Sequence, residues 1–230
     1  MSYLSYEVRR YVEHIVDLKG KKVLDFGCNH ANFLPWDGDY TGYDIDAQVI
    51  EQNKIDYPDC IWLQQDVYNW QYNHTGKDAH DWNMFSKYDI IFLFSVFTHT
   101  DLNEFKQTTK NLNNHLNEGG NILASYISLN DTNNLYDIFN HRKELFADIP
   151  SLVEELSGLN SAVVAVVIET KELMVFKNIE TIPKFTNKTY FLALYDDDFI
   201  SKTMDAKVID NTHMFGGIMG SQKCLYFTRH

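Results

Sequence analysis

The sequence predicts an α/β domain built on a doubly wound, mostly parallel sheet of seven strands, with an insertion before the last two. Two observations carry that prediction. An apolar run, Val23-Leu24-Asp25-Phe26, passes through a glycine loop to a second run, Tyr40-Thr41-Gly42-Tyr43-Asp44, that ends on a carboxylate. Beyond it, runs of strand length alternate with helix-periodic segments as far as residue 127. In such sheets ligands bind beyond the carboxyl ends of the strands. Asp44 comes 19 residues after Asp25, near the spacing of a ribose-binding acid.

The elements follow in order. Residues 5–18 carry Val8, Tyr11, Val12, Ile15 and Val16 at helical spacing, and Gly20 ends that helix. Residues 23–26 form the first strand, and a brief helix is expected over Asn32 to Trp36. Residues 40–44 form the second strand, and Asp46 caps a helix running to about Ile55. Residues 61–64 make a third strand. Residues 69–86 are polar and turn-rich, and read as an extended loop or short helix. Tyr88 to Ser95 is almost continuously apolar, as a central parallel strand buried on both faces should be. Leu102 to Leu116 reads as a helix closed by Glu118-Gly119-Gly120, and residues 121–127 as the fifth strand. After that come a candidate hairpin over 163–176, a short helix over 196–203, and two late strands at 206–210 and 224–228. One domain over residues 1–230 is expected: a cofactor-binding core over 20–127, an acceptor-pocket insertion over about 128–190, and a final helix and strands over 191–230.

Composition narrows the class. The chain has 230 residues, is 44% hydrophobic and 23% charged, and so has material for an ordinary buried core. A net charge of −12 argues against a nucleic-acid partner. Cys28, Cys60 and Cys224 lie far apart, with neither zinc-ligand nor disulfide spacing. His74, Asp78, His80 and Asp81 cluster in sequence without the spacing of a known metal site, so no metal is expected. No apolar run is long enough to span a bilayer and no signal peptide opens the chain, so a cytoplasmic protein without membrane contact is expected.

The loop after the first strand selects the ligand. A diphosphate needs several glycines for close backbone approach, and here Gly27 stands alone, with Asn29 and Ala31 where further glycines would be. An NAD-dependent oxidoreductase is therefore disfavoured, and a nucleoside without phosphates fits better. Asp25-Phe26-Gly27-Cys28-Asn29-His30-Ala31 resembles the first motif of class I S-adenosylmethionine-dependent methyltransferases, which are Rossmann-like. Asp44, Asp66-Val67, the run Tyr88 to His99, and Leu116-Asn117-Glu118-Gly119-Gly120 follow in that family's order, the last with Glu118 in place of a proline. The resemblance implies that S-adenosyl-L-methionine is the cofactor. It places Asp25, Gly27, Cys28 and Asn29 at the loop, Asp44 and Ile45 at the ribose, Asp66 and Val67 at the adenine, and Phe94 and Ser95 after the fourth strand.

Methyl transfer is an in-line displacement at carbon, so positioning of the acceptor carries much of the rate. A hydroxyl acceptor also needs a base. His99 follows the fourth strand at the ligand-binding edge and is the catalytic candidate, against a structural role in the Thr98-His99-Thr100-Asp101 turn. His141, Asp131 and His213 are weaker candidates. Tyr3, Leu4 and Tyr6 form a candidate lid, or simply a packed N-terminal helix. Tyr136, Phe139, Phe146, Phe176, Phe185 and Tyr190 either line an acceptor pocket or pack the insertion. The fourth motif lacks the Asn/Asp-Pro-Pro-aromatic element of amino methylation on nucleobases. The expected acceptor is thus a small molecule or glycan, O-methylated on a polar or sugar-like group. The alternatives are N-methylation of a small metabolite and a non-catalytic S-adenosylmethionine-binding module. The sequence leaves the oligomeric state open.

Overall fold

The computed structural model describes residues 9, 12–31, 38–169, 172–178, 180–182, 184, 189–205, 207–209 and 222–229. Of the N-terminal helix, residues 12–15 are helical, while the candidate lid, the helix expected over 32–36, Phe185 and His213 lie outside the described residues. Strands β1 (Val23–Phe26), β2 (Tyr40–Asp44), β3 (Ile61–Gln64), β4 (Tyr88–Leu93) and β5 (Leu116–Ser128) stand in the spatial order β3-β2-β1-β4-β5, all parallel. The order reverses at β1, whose neighbours are β2 and β4, which puts the switch point of the sheet, the place where such folds take their ligands, at the carboxyl ends of β1 and β4. β10 (Lys223–Thr228) adds antiparallel to β5, and β9 (Lys207–Ile209) adds antiparallel to β10, so seven of the described strands make the expected sheet, and three more join it through β5 to give ten rather than seven.

The helices obey their caps. Asp46 receives the N–H groups of Gln48 and Val49 and starts α1 (Ala47–Asp56). Asp101 and Glu104 form a reciprocal capping box on α2 (Leu102–Asn114). That helix ends at Asn114 rather than Leu116, and the expected glycine cap is corrected: Gly119 and Gly120 lie inside β5. There they form a bulge against β4, where the register moves from Tyr88↔Leu116 to Ile90↔Asn121. Backbone bonds to Arg229 on either side of the pair hold the bulge in the sheet, with N···O distances of 3.0 Å from Gly119 and 2.9 Å to Gly120.

The insertion carries α3 (Thr132–Asn140), α4 (Ile149–Ser157) and a second, antiparallel sheet of β6 (Val163–Glu169), β7 (Glu172–Lys177) and β8 (Tyr190–Tyr195). The hairpin turns at Glu169 and Glu172 as expected, whereas β8 was not foreseen. Val163, Ala165 and Val167 face the core shared with the main sheet, while Val164, Val166 and Ile168 face α3 and α4. Burial on both faces explains the unbroken apolar run. The last residues of β5, Ile127 and Ser128, pair with Leu194 and Tyr195, so β5 belongs to both sheets. α5 (Asp197–Met204), capped by Asp196, leads back to the main sheet.

Candidate active site

The loop leaving β1 folds onto the tip of β2. The N–H groups of Gly27 and Cys28 both donate to the Tyr43 carbonyl, at 2.8 and 3.0 Å. Gly27 has φ +79°, and a Cβ there would stand 2.7 Å from Val96 Cγ2. Backbone hand and space both demand glycine. Asn29 and Ala31 also hold positive φ, 44° and 52°. In that region a side chain costs roughly 1–2 kcal/mol, and strain of this kind collects at functional sites. Asn53 on α1 steadies the turn by donating its Nδ2 to the Asn29 carbonyl at 2.6 Å.

This loop aims the Asp44 carboxylate. Oδ2 accepts the Asn29 N–H at 2.9 Å and Oδ1 accepts the Asp46 N–H at 3.0 Å. Burial raises the Asp44 pKa, and these two bonds oppose the rise. The Ile45 N–H opposes it as well, and a carboxylate ordered in this way keeps acceptor capacity for the hydroxyls of a diol. Asp25 lies deeper. It is 3% exposed and accepts the Tyr40 hydroxyl at 2.5 Å. Burial, opposed by Tyr40 and reinforced by Asp44, pushes its pKa up to about 7. Cys28 is buried beside it, and desolvation drives its thiol far from ionisation, as suits packing rather than nucleophilic chemistry.

The other expected positions gather around the same edge. Ile45 packs on the core beside Asp44. Asp66 is exposed past the end of β3, with Oδ1 accepting Asn73 Nδ2 at 2.8 Å. The Val67 N–H donates to the Gln65 carbonyl at 3.0 Å. Phe94 follows β4 and lies 5.7 Å from the Phe92 ring. Ser95 holds φ +60° and donates its N–H to Ser125 Oγ at 2.7 Å. Gln222, just before β10, donates to Ser95 Oγ at 2.9 Å and accepts from Ser125 Oγ at 2.5 Å. The turn after β4 is thereby tied to both β5 and the last strand.

His99 stands in the short helical turn Phe97–His99. Its Nδ1 is 3.2 Å from the Phe191 carbonyl of β8, and its Nε2 is 3.2 Å from the Tyr72 hydroxyl. Burial pushes its pKa down to about 4, against the Phe191 carbonyl, so the ring is neutral at pH 7. Reading the sequence missed Tyr72, which sits on the polar loop after β3. It also weighed His80 only as a metal ligand. His80 instead holds the Tyr43 hydroxyl through Nδ1 at 2.8 Å, and burial lowers its pKa to about 4. Asp81 caps the turn Trp82–Met84 and Asp78 pairs with Lys184. Among the described residues, no three His, Cys, Asp or Glu side chains are grouped to hold a metal. Asp131 caps α3, and Phe139 and Phe146 pack against each other in the insertion's own core.

Among the described residues, Trp70 Nε1, Gln71 Oε1 and His74 Nε2 on the loop after β3 are buried without a hydrogen-bond partner. Orphaned groups of this kind are rare in folded proteins and mark places where a ligand or water completes the structure. With the fixed Asp44 carboxylate, the exposed Asp66 and a loop too poor in glycine for a diphosphate, the donor set fits the nucleoside of S-adenosylmethionine.

Residues 2–163 match the model of a family described as "Methyltransferase domain". Among solved structures, magnesium protoporphyrin IX methyltransferase from Synechocystis PCC 6803, with bound SAH, superposes with a TM-score of 0.56 at 12% identity, covering 98% of this chain and 82% of that one. The glycopeptide N-methyltransferase MtfA complexed with (S)-adenosyl-L-homocysteine gives 0.54 at 12% identity over 97% and 89%. A SAM-bound amino pentose methyltransferase from Micromonospora echinaspora gives 0.53 at 12% identity over 98% and 90%. At such identities these structures share the fold. The family match spans well over half of the sequence, and the chain belongs to the methyltransferase domain family.

Proposed function

We propose that this chain transfers the methyl group of S-adenosyl-L-methionine to an oxygen of a small polar or sugar-like acceptor. One observation carries the reading: the Asp44 carboxylate stands at the tip of β2, ordered by the Asn29 and Asp46 N–H groups and so prepared to accept the hydroxyls of a ribose diol. Asp44 and Ile45 hold the ribose. Gly27, Cys28 and Asn29 let the amino-acid tail approach the backbone, with Asp25 bracing the loop from below. Asp66 and Val67 meet the adenine, and Phe94 and Ser95 close the floor after β4. Bound there, the cofactor supplies a methyl group made electrophilic by its sulfonium. His99 is the proton sink on the acceptor side, and the insertion provides the rest of that wall. The solved glycopeptide and amino pentose enzymes make a glycan-type acceptor reasonable.

A second reading is favoured by one feature. An imidazole held near pH 4 is a weak base, and a neutral amine needs less help than a hydroxyl. N-methylation is therefore the alternative. The full chain would be incubated with methyl-labelled S-adenosylmethionine and a paired panel of monosaccharides and amino sugars. Product fragmentation in the mass spectrometer distinguishes an O-methyl from an N-methyl group. Label on a hydroxyl supports the proposal, and label on nitrogen replaces it with the second reading. Cofactor binding by calorimetry with no transfer to any acceptor would leave a non-catalytic binding module.

A further inference from the structure

The loop after β3 places an exposed phenol against His99. The proton positions there follow from one carbonyl. The Phe191 oxygen can only accept, so His99 Nδ1, 3.2 Å away, carries the ring proton. In a neutral imidazole Nε2 then has only a lone pair. Tyr72 Oη lies 3.2 Å from it and must therefore be the donor. Both lone pairs of the phenol oxygen remain available to a different donor. Tyr72 is 60% exposed, whereas both nitrogens of His99 are already engaged. Of the two groups, the phenol is the one open to a molecule arriving from solvent.

The arrangement is braced rather than incidental. The Tyr72 ring stands edge-on to His99, 5.1 Å away at 84°. Asn69 holds both partners with one side chain. Its Oδ1 accepts the N–H groups of Gln71 and Tyr72 at 3.0 and 3.1 Å, and its Nδ2 donates to the His99 carbonyl at 3.2 Å. The orphaned polar atoms of Trp70, Gln71 and His74 lie on the same loop. Besides burial, Asp44 and Arg142 act electrostatically on Tyr72, and Tyr190 of β8 is coupled to the same phenol. The phenol therefore feels both the carboxylate assigned to the ribose and side chains of the insertion.

Resting on the function proposed above, we infer that Tyr72 is a catalytic residue that contacts the acceptor, with His99 acting through it. The acceptor O–H bond breaks and its proton goes to Tyr72 Oη. The phenol's own proton goes to His99 Nε2, giving an imidazolium. The electron pair freed on the acceptor oxygen forms the bond to the methyl carbon as the carbon–sulfur bond breaks with its pair left on sulfur. One positive charge is lost at sulfur and one is gained at His99, which returns the proton to solvent.

The test uses the full chain labelled with ¹⁵N-histidine, as wild type and as Tyr72→Phe, which keeps the ring on His99 and removes only the hydroxyl. The expected wild-type spectrum shows His99 as the Nδ1–H tautomer. In Tyr72→Phe the Nε2 resonance moves and the titration midpoint rises, because the neutral form has lost its donor. In the methyl-transfer assay with labelled S-adenosylmethionine and the sugar panel, Tyr72→Phe should lower kcat about 10²-fold and leave cofactor affinity unchanged. His99→Ala should cost a similar factor, and the double variant little more, since the two act as a unit. An Nε2–H tautomer in the wild type, a Tyr72→Phe kcat within twofold of wild type, or additive losses would each overturn the inference. Should the wild type label no acceptor, the functional reading fails instead. The spectrum still decides the hydrogen-bond polarity: the Nδ1–H tautomer with a moved Nε2 signal supports it, and any other pattern refutes it.

Discussion

Replacing Asp44 by alanine isolates the grip on the ribose. In the folded chain its two oxygens are held by the Asn29 and Asp46 N–H groups, so the carboxylate meets a ligand without first being ordered. A hydrogen bond to a charged group contributes roughly 1.5–3 kcal/mol, which corresponds to a loss of about 10- to 160-fold in affinity for each bond removed. Two ribose hydroxyls put the expected effect at the upper part of that range or beyond it. Part of the loss would be indirect, because alanine leaves the Asn29 and Asp46 N–H groups without their present acceptor. Asp44→Asn is not a clean control, since its amide nitrogen would face one of those same N–H donors. Calorimetric titration with S-adenosylhomocysteine measures the affinity, and a thermal melt of each free protein reports whether the loop has loosened. Affinity within threefold of wild type, in a variant that melts normally, would refute the assignment of Asp44 to the ribose.

Two further outcomes are expected. Asp25 has its pKa raised from 3.8 to about 7 in the fold, so the native state holds an extra proton across that window and the stability due to this group falls as pH rises through it. Asp25→Asn keeps an oxygen for Tyr40 and removes the titration. Its urea midpoint should gain on the wild type between pH 5 and pH 8, by at most about 2.6 kcal/mol in free energy, and parallel profiles would show that Asp25 ionises normally. Gly27→Ala forces a side chain to φ +79° and within 2.7 Å of Val96 Cγ2. A stability loss of about 1–3 kcal/mol is expected by denaturant titration, together with weaker cofactor binding, and wild-type values for both would mean the loop is not constrained as described.

The parts of the fold that local chemistry dictates could be read in advance. Asp46 before an apolar-periodic stretch marked α1 because a carboxylate at that position satisfies orphan N–H groups, and it does so here. The unbroken run at β4 foretold a central strand. What failed depended on distant partners. Leu116 to Gly120 has poor strand formers and two glycines, yet backbone bonds to Arg229 hold it in the sheet. β8 was hidden because its apolar residues serve two faces at once, Phe191 and Ala193 on one and Leu192 and Leu194 on the other, leaving no alternation to detect. Around the crevice, Asp44 was visible from its place at a strand end. Tyr72 was not, since nothing local marks a tyrosine in a polar loop. Its environment is set by His99 and, through it, by a carbonyl on β8.

The double membership of β5 bears on how such a protein can change what it acts upon. Ile127 and Ser128 fasten the second sheet through Leu194 and Tyr195, after the strand has already passed through the first. Everything between those two seams leaves and returns along the same line. A different intervening segment could be spliced in without disturbing the strands that present Asp44, provided it comes back with a strand that seats on those two residues and refills the core that Val163, Ala165 and Val167 share with the main sheet. Chimeras cut at Ile127 and Leu194 should therefore fold with their nucleoside grip intact, while cuts placed inside β6 should not.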